Sequence, residues 1–386
     1  MEQKLENDIK TFITCPNPIL FNKFVTTWPL MNFSLLDWSS KFKTKELPIR
    51  IGKKSHSEPQ WERGCDVKKM SFDDFLKYFR NSEDNWAYFD YKYMHEWFDD
   101  DIDELFDWKM LGIEGKSCRD TTLWIGSSGA HTPCHYDAYS FNLVAQIYGC
   151  KRWILIPPGT EMQTTVMKPC RIPYEESSIY SQLNFFSPEN VDHFKDISGA
   201  IITTLHPGDV LYVPKHWWHF VENIDLSISI NTWVPVESDD ESRLEESLVR
   251  MFISSVTSKF NDFKDGILNP NEDNITEENT LKYLTYFAKE SKKFSSNLNS
   301  STFKEEEKYH QLTNKYSNIK ILTESPKEEL KQLLKNNSKR FLKPINHNKS
   351  NQHEELKIMS YLVNSFCHPR VINLVKELFI EECNKT

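Results

Sequence analysis

Short apolar runs separated by turn residues dominate the middle of the chain. Thr121–Gly126, Phe141–Ile147, Arg152–Ile156, Ile201–Leu205, Val210–Val213 and Leu226–Trp233 each read as strands. Ser127-Ser128-Gly129, Gly149 and Pro157-Pro158-Gly159 punctuate them as turns and a stop. Many short strands at this spacing predict a mainly β fold with α: a double-sheet jelly roll, or double-stranded β-helix, whose mouth is a natural ligand pocket. Ahead of this core the pattern predicts a helix over Leu35–Phe42 and strands at Pro48–Ile51 and Trp86–Asp90. A helix from Phe72 is predicted with Ser71 as N-cap and Asp74 completing a capping-box-like start. The acidic stretch Phe98–Phe106 reads as a solvated helix face or loop.

After Val236 the character changes. Glu237–Asp240 is a polar junction, and Glu241–Phe260 has helical spacing, with Leu244, Leu248, Met251, Phe252, Val256 and Phe260 on or near one face. Thr280–Phe294 predicts a further helix, and Glu354–Asn384 a helical end with a break near Pro369. Ser295–Lys308 and Asn336–His353 are rich in Asn, Ser, Lys and Glu and read as solvated linkers. The expected organisation is a lead-in over 1–85 packing on the barrel, a barrel over 86–237, and a C-terminal helical region with polar linkers over 238–386.

Composition narrows the function classes. The 386 residues carry a net charge of -9, so no global basic field invites nucleic acid. Aromatic residues make up 13% of the chain, which fits a broad β core with aromatic pocket walls. The 8 cysteines form no Cys-x-x-Cys pair, which argues against a zinc ribbon or a thioredoxin-type motif and for reduced thiols. No stretch reaches the roughly 20 apolar residues of a spanning helix, and the N-terminus lacks the basic and apolar regions of a signal peptide. The expectation is a soluble protein of the cytoplasm or nucleus that engages no membrane.

The chemistry concentrates in two blocks. In a strand, residues i and i+2 point to one face, so His135 and Asp137 of His135-Tyr136-Asp137 can reach one metal together. A third ligand, His219 of Trp217-Trp218-His219, has to arrive on a strand brought alongside. Two imidazoles and a carboxylate make a facial triad for Fe(II), leaving positions open for a chelating co-substrate and O2. In isolation a His-x-Asp pair is more often a surface or turn pair, and Lys151 beside Arg152 a solvated edge charge. Trp217 and Trp218 read as packing, and Cys134 and Cys150 as small buried hydrophobes. His131 and His216 are not taken as ligands.

The companions of these residues alter the odds. His131-Thr132-Pro133-Cys134-His135-Tyr136-Asp137, then Asn142 through Leu155 with Lys151, then His206 through Pro214, His216–His219 and Ser227–Trp233 occur in one order. Together with Arg171–Ser177, they resemble the JmjC family of Fe(II)/2-oxoglutarate-dependent oxygenases, and within it the small hydroxylase-type members. The likeness is good over about 86–235. It implies a cupin-like JmjC barrel in which His135, Asp137 and His219 hold Fe(II). It also implies that Lys151 and Thr132 meet the far carboxylate of 2-oxoglutarate, and that Asn142 and Asn231 line its pocket. Asn142 lies seven residues after His135 where some relatives have six, and a bulge would absorb the extra residue. The implied reaction couples decarboxylation of 2-oxoglutarate with O2, giving succinate and CO2, to hydroxylation of a C–H bond, demethylation being disfavoured. A protein substrate is the implied partner, with a small heat-shock protein one such partner and a homodimer through the C-terminal helices another expectation.

Three other readings stand beside it: a JmjC-fold interaction protein that binds a small heat-shock protein with little turnover, a tRNA-base hydroxylase, and a cupin holding another metal without 2-oxoglutarate. The intact triad with Lys151 disfavours the scaffold. The mixed-charge cluster Lys289-Glu290-Ser291-Lys292-Lys293 is too short for an RNA groove.

Overall fold

The computed structural model describes residues 8–60, 65–81, 83–158, 178–181, 183–257, 277–291, 309, 311–343, 358, 361–363 and 365–385. Two antiparallel sheets face each other. The strands are β1 (Ile19–Phe21), β2 (Leu47–Lys53), β3 (Asp66–Met70), β4 (Asn85–Tyr93), β5 (Thr121–Gly126), β6 (His131–Asp137), β7 (Phe141–Tyr148), β8 (Lys151–Ile156), β9 (Ser178–Tyr180), β10 (Ile201–Leu205), β11 (Val210–Val213), β12 (Trp218–Asn223), β13 (Ser227–Val234) and β14 (Ile319–Ile321). The larger sheet runs β14-β1-β11-β7-β13-β5-β4-β2-β3, the smaller β10-β8-β12-β6-β9. From β5 to β8, and again from β10 to β13, the chain crosses from one sheet to the other at every step. That winding is the double-stranded β-helix the strand spacing predicts.

Strand alternation divides each inner strand between two environments. Along β13, Ile228 and Ile230 point outward into the main apolar core, while Ser229, Asn231 and Trp233 line a cavity between the sheets. Along β7, Leu143, Ala145 and Ile147 point outward, and Asn142 and Val144 inward. The outer face of the large sheet is covered by helix α1 (Leu35–Phe42) and helix α2 (Phe72–Asn81), with Trp38, Phe42, Phe72, Phe75, Phe89 and Phe98 packed ring against ring. Both starts are side-chain capped. Ser34 and Asp37 form a complete capping box, and Ser71 Oγ accepts from Asp74 N at 3.1 Å.

The C-terminal region departs from its reading. Asn336–His353 was expected to be a linker, but Asn336 and Asn337 end helix α5 (Lys327–Asn337) and Ser338–Arg340 continue as a 3₁₀ turn; 344–353 lie outside the described residues. This helix covers the outer face of the small sheet with Leu330 and Leu334. Asn337 is buried and donates to Phe185 O at 2.9 Å, and Arg340 pairs with the buried Glu222 at 2.7 Å. Polar composition read as solvation here marks buried partners. The predicted helices after the barrel are present as α3 (Asp239–Thr257), α4 (Glu277–Ser291) and α6 (Pro369–Asn384), the last starting at the expected break. Leu244 of α3 packs with Phe287 and Ala288 of α4. Ser295–Lys308 and Arg171–Ser177 lie outside the described residues. Among the described residues, no helix is long and apolar enough to cross a membrane.

Gly149 turns the chain from β7 into β8. Its φ is +61°, and a Cβ there would lie 2.0 Å from Leu226 O. Gly149→Ala therefore meets both a disfavoured backbone region and a rigid carbonyl. It should lower unfolding stability by more than about 2 kcal/mol, read as a shifted urea midpoint with an unchanged slope. A midpoint within error of the parent would contradict this account of the turn.

Candidate metal centre

His135 sits on β6 directly opposite His219 on β12, the register pairing the two residues Cα to Cα. The register then shifts: Val221 pairs with Thr132, so β6 carries one extra residue around Pro133-Cys134. Proline lacks the ladder N–H, which suits it to a bulge. The consequence is a change of parity. In an unbroken strand Thr132 and His135, three apart, would face opposite sides; with the bulge between them Thr132, His135 and Asp137 all line the same cavity.

Three donor groups converge there. His135 Nε2 lies 3.8 Å from Asp137 Oδ1, and His219 Nε2 4.0 Å from Asp137 Oδ2. Donor atoms of the three residues all fall within 4.8 Å of one another. Each imidazole is held by the carbonyl two residues before it: His135 Nδ1 is 2.8 Å from Pro133 O, and His219 Nδ1 2.9 Å from Trp217 O. A carbonyl only accepts, so Nδ1 carries the proton and Nε2 presents its lone pair. Burial, and then the neighbouring His219, hold the His135 imidazole well below its ordinary pKa, in the neutral form a metal requires. Asp137 is fixed from the other sheet, where its Oδ2 accepts from Trp233 Nε1 at 3.0 Å and Asn142 Nδ2 at 3.4 Å. The donor set fits a divalent ion.

Behind Asp137 runs a buried amide relay. Asn231 Nδ2 donates to Asn142 Oδ1 at 2.8 Å, and Asn231 Oδ1 accepts from Thr122 Oγ1 and from Trp124 Nε1 at 2.6 Å. The extra residue before Asn142 was expected in a bulge. Between Asp137 and Asn142 the chain turns over Ala138–Ser140, where Ser140 has φ +62° and its N–H bonds to Asp239 at 2.9 Å.

Lys151 opens onto the same cavity, which has a volume of about 50 Å³. Its side chain is buried, so it is not a solvated edge charge. Lys151 Nζ donates to Ser229 Oγ at 2.6 Å and Tyr88 Oη at 3.4 Å, and lies over the rings of Tyr88 and Trp124. Among the described residues no carboxylate is within ion-pair distance of it. Burial pushes its ammonium down to about 7, with Asp90 opposing.

The remaining candidates separate cleanly. His131 stacks on Phe186 at 3.8 Å and bonds to Gly129 O, away from the cluster. His216 contacts Ala138 O, and Trp217 Nε1 donates to Pro16 O. Cys134 is buried as expected, whereas Cys150 is only half-buried, its sulfur 3.2 Å from His206 Nδ1. Ser229, Trp233, Tyr88 and Trp124 were not singled out from sequence. Ser229 and Trp233 flank Asn231 at two-residue spacing, so strand parity alone would have found them.

Residues 6–240 match the Cupin-like domain family. Over 271 residues the chain is 39% identical to the HSPB1-associated protein 1 of Bos taurus, covering 65% of this chain and 55% of that protein. It is 36% identical over 293 residues to the HSPB1-associated protein 1 homolog of Danio rerio, covering 70% and 64%. The Lysine-specific demethylase JMJ30 of Arabidopsis thaliana is 24% identical, covering 62% and 54%. The chain thus spans between about half and two thirds of the length of these relatives.

His135→Ala should abolish Fe(II) binding in anaerobic titration while the far-ultraviolet spectrum is unchanged. Trp233→Phe removes one donor to Asp137 and should weaken metal affinity about tenfold or more. Parent-like affinity in Trp233→Phe would show that the indole does not orient the carboxylate.

Proposed function

The chain belongs to the Cupin-like family, in its JmjC branch, and on that premise we propose that it is an Fe(II)- and 2-oxoglutarate-dependent dioxygenase that hydroxylates a protein. The observation that carries the reading is Lys151: a buried cation faces the metal-ligand cluster's own cavity with only hydroxyl partners. A buried ammonium without a counter-ion is costly, and an anionic ligand relieves that cost. A metal-chelating keto acid with a second carboxylate has the required chemistry, whereas a cupin binding metal alone has no use for such a cation.

His135, Asp137 and His219 would hold the iron, and Lys151, Ser229 and Thr132 would receive the far carboxylate of 2-oxoglutarate. Bound together, iron and 2-oxoglutarate supply the oxidation: one O2 is consumed, 2-oxoglutarate becomes succinate and CO2, and a substrate C–H becomes C–OH. The protein's own part is positional. The amide relay from Asn142 through Asn231 to Thr122 and Trp124 holds the cavity wall, Trp233 fixes Asp137, and Trp153 and Val221 keep the floor apolar. The name of the 39%-identical relative supports a small heat-shock protein as the first substrate or partner to try.

Anaerobic titration with Fe(II) and 2-oxoglutarate should produce a weak visible charge-transfer band that is lost on admitting O2, with succinate formed. No band in folded protein would sink the proposal and favour a binding role.

Lys151 also makes a pH prediction. In the free pocket its pKa is about 7, against the ordinary 10.5, and a bound carboxylate raises it again. Between about 7 and 10.5, binding of 2-oxoglutarate therefore takes up a proton, and affinity falls as pH rises. Calorimetry in buffers of different ionisation enthalpy should detect this uptake, which Lys151→Ala should lose together with most of the co-substrate affinity. Uptake that persists in Lys151→Ala would assign the proton to another group.

A further inference from the structure

A second cavity of about 210 Å³ adjoins the first. It is lined by Tyr93, His95, Lys116, Arg119, Asp120 and Trp233. Trp233 lines both cavities, and its Nε1 bonds to the proposed metal ligand Asp137. A ladder of rings links them along one side of β4: Trp124 to Tyr91 at 5.8 Å, Tyr91 to Trp233 at 5.6 Å, Tyr91 to Tyr93 at 6.0 Å and Tyr93 to His95 at 5.9 Å.

Nitrogen bases outnumber acids in this second cavity. Asp120, its one carboxylate, is engaged locally by Lys116 Nζ at 3.3 Å, Ser117 N at 3.2 Å and Ser117 Oγ at 3.4 Å. Arg119 is exposed and has no ion pair among the described residues. His95 Nδ1 is buried without a hydrogen-bond partner. In a chain of net charge -9, a concave site with an unpaired guanidinium, a shared ammonium and a donor-capable imidazole selects for anions. Guanidinium groups recognise planar or tetrahedral oxyanions through paired N–H donors.

We propose that this cavity is a substrate subsite that binds a carboxylate or phosphoryl group of a peptide, a few residues from the side chain presented to the metal centre. This deepens the dioxygenase reading and rests on it. The ring ladder supplies a flat wall for the intervening peptide, and Trp233 forms the partition. A nucleic acid is disfavoured because two cations offset by one carboxylate cannot follow a phosphate backbone.

The test uses fluorescein-labelled pools of short random peptides with one fixed position: Glu, phosphoserine or Gln. Binding to the full chain loaded with Mn(II) is followed by fluorescence anisotropy. The Glu or the phosphoserine pool should bind about fivefold or more tighter than the Gln pool, the stronger of the two identifying the source of the anion. The preference should disappear in Arg119→Ser/Lys116→Ser, while Mn(II) and 2-oxoglutarate affinities stay at parent values. Equal binding of all three pools, or a preference that survives the double substitution, overturns the subsite. A labelled mixed-sequence RNA that binds tighter than every peptide pool and is weakened by the same substitutions overturns the peptide assignment. If metal and 2-oxoglutarate fail to bind while the charge preference holds, the dioxygenase reading fails and the anion site stands.

Discussion

The extra residue in β6 governs which side chains meet inside the barrel. A strand offers every second residue to one face, so an unbroken β6 could bring His135 and Asp137 inward but would turn Thr132 out. The bulge at Pro133-Cys134 resets the parity and seats His135 opposite His219. It also places Pro133 O where it can receive His135 Nδ1. Proline is the residue best suited to that position, because the bulge needs no donor there. The inward turn of Thr132 beside the metal ligands thus follows from one local irregularity.

The barrel interior is otherwise an unusual place for so many polar groups. It tolerates them because they satisfy one another. Asn142, Asn231, Thr122 and Trp124 share donors and acceptors across three adjacent strands, and the chain of bonds ends on Asp137. Each amide would be costly alone; as a closed network they make the carboxylate's position stiff. Lys151 is the exception, since its partners are neutral. A folded protein that keeps an unbalanced buried charge is poised for a ligand of opposite sign.

Much of this was legible in the sequence because apolar runs, glycine turns and the spacing of His135 and Asp137 are local signals. Thr121–Gly126, Ile201–Leu205, Val210–Val213 and Leu35–Phe42 form with the boundaries their patterns predict. Other features depend on partners far along the chain. β3, Asp66–Met70, is almost wholly exposed and has charged residues at three of its five positions, and it pairs only with β2. The helix Lys327–Asn337 shows its apolar face as Leu330, Leu333 and Leu334, and its last asparagine is buried by a contact with Phe185. The inward turn of Thr132 depends on a bulge that no composition rule announces. Cys150 and Lys151 are neighbours, yet only the lysine is fully buried: Cys150 lies in the turn before β8, and Lys151 is the first residue of the strand.

The large sheet closes at its edge in an order the chain cannot follow as it is made. β1 is synthesised early but pairs on one side with β11 and on the other with β14, which lies beyond the 6–240 family match. Until Ile319–Ile321 emerges, one side of Ile19–Phe21 has no strand to bond with. Pairings of such long sequence separation are slow to form, and a bare strand edge is a template for association with other chains. The growing polypeptide therefore passes through a stage in which its barrel strands are all present but its rim is still adhesive.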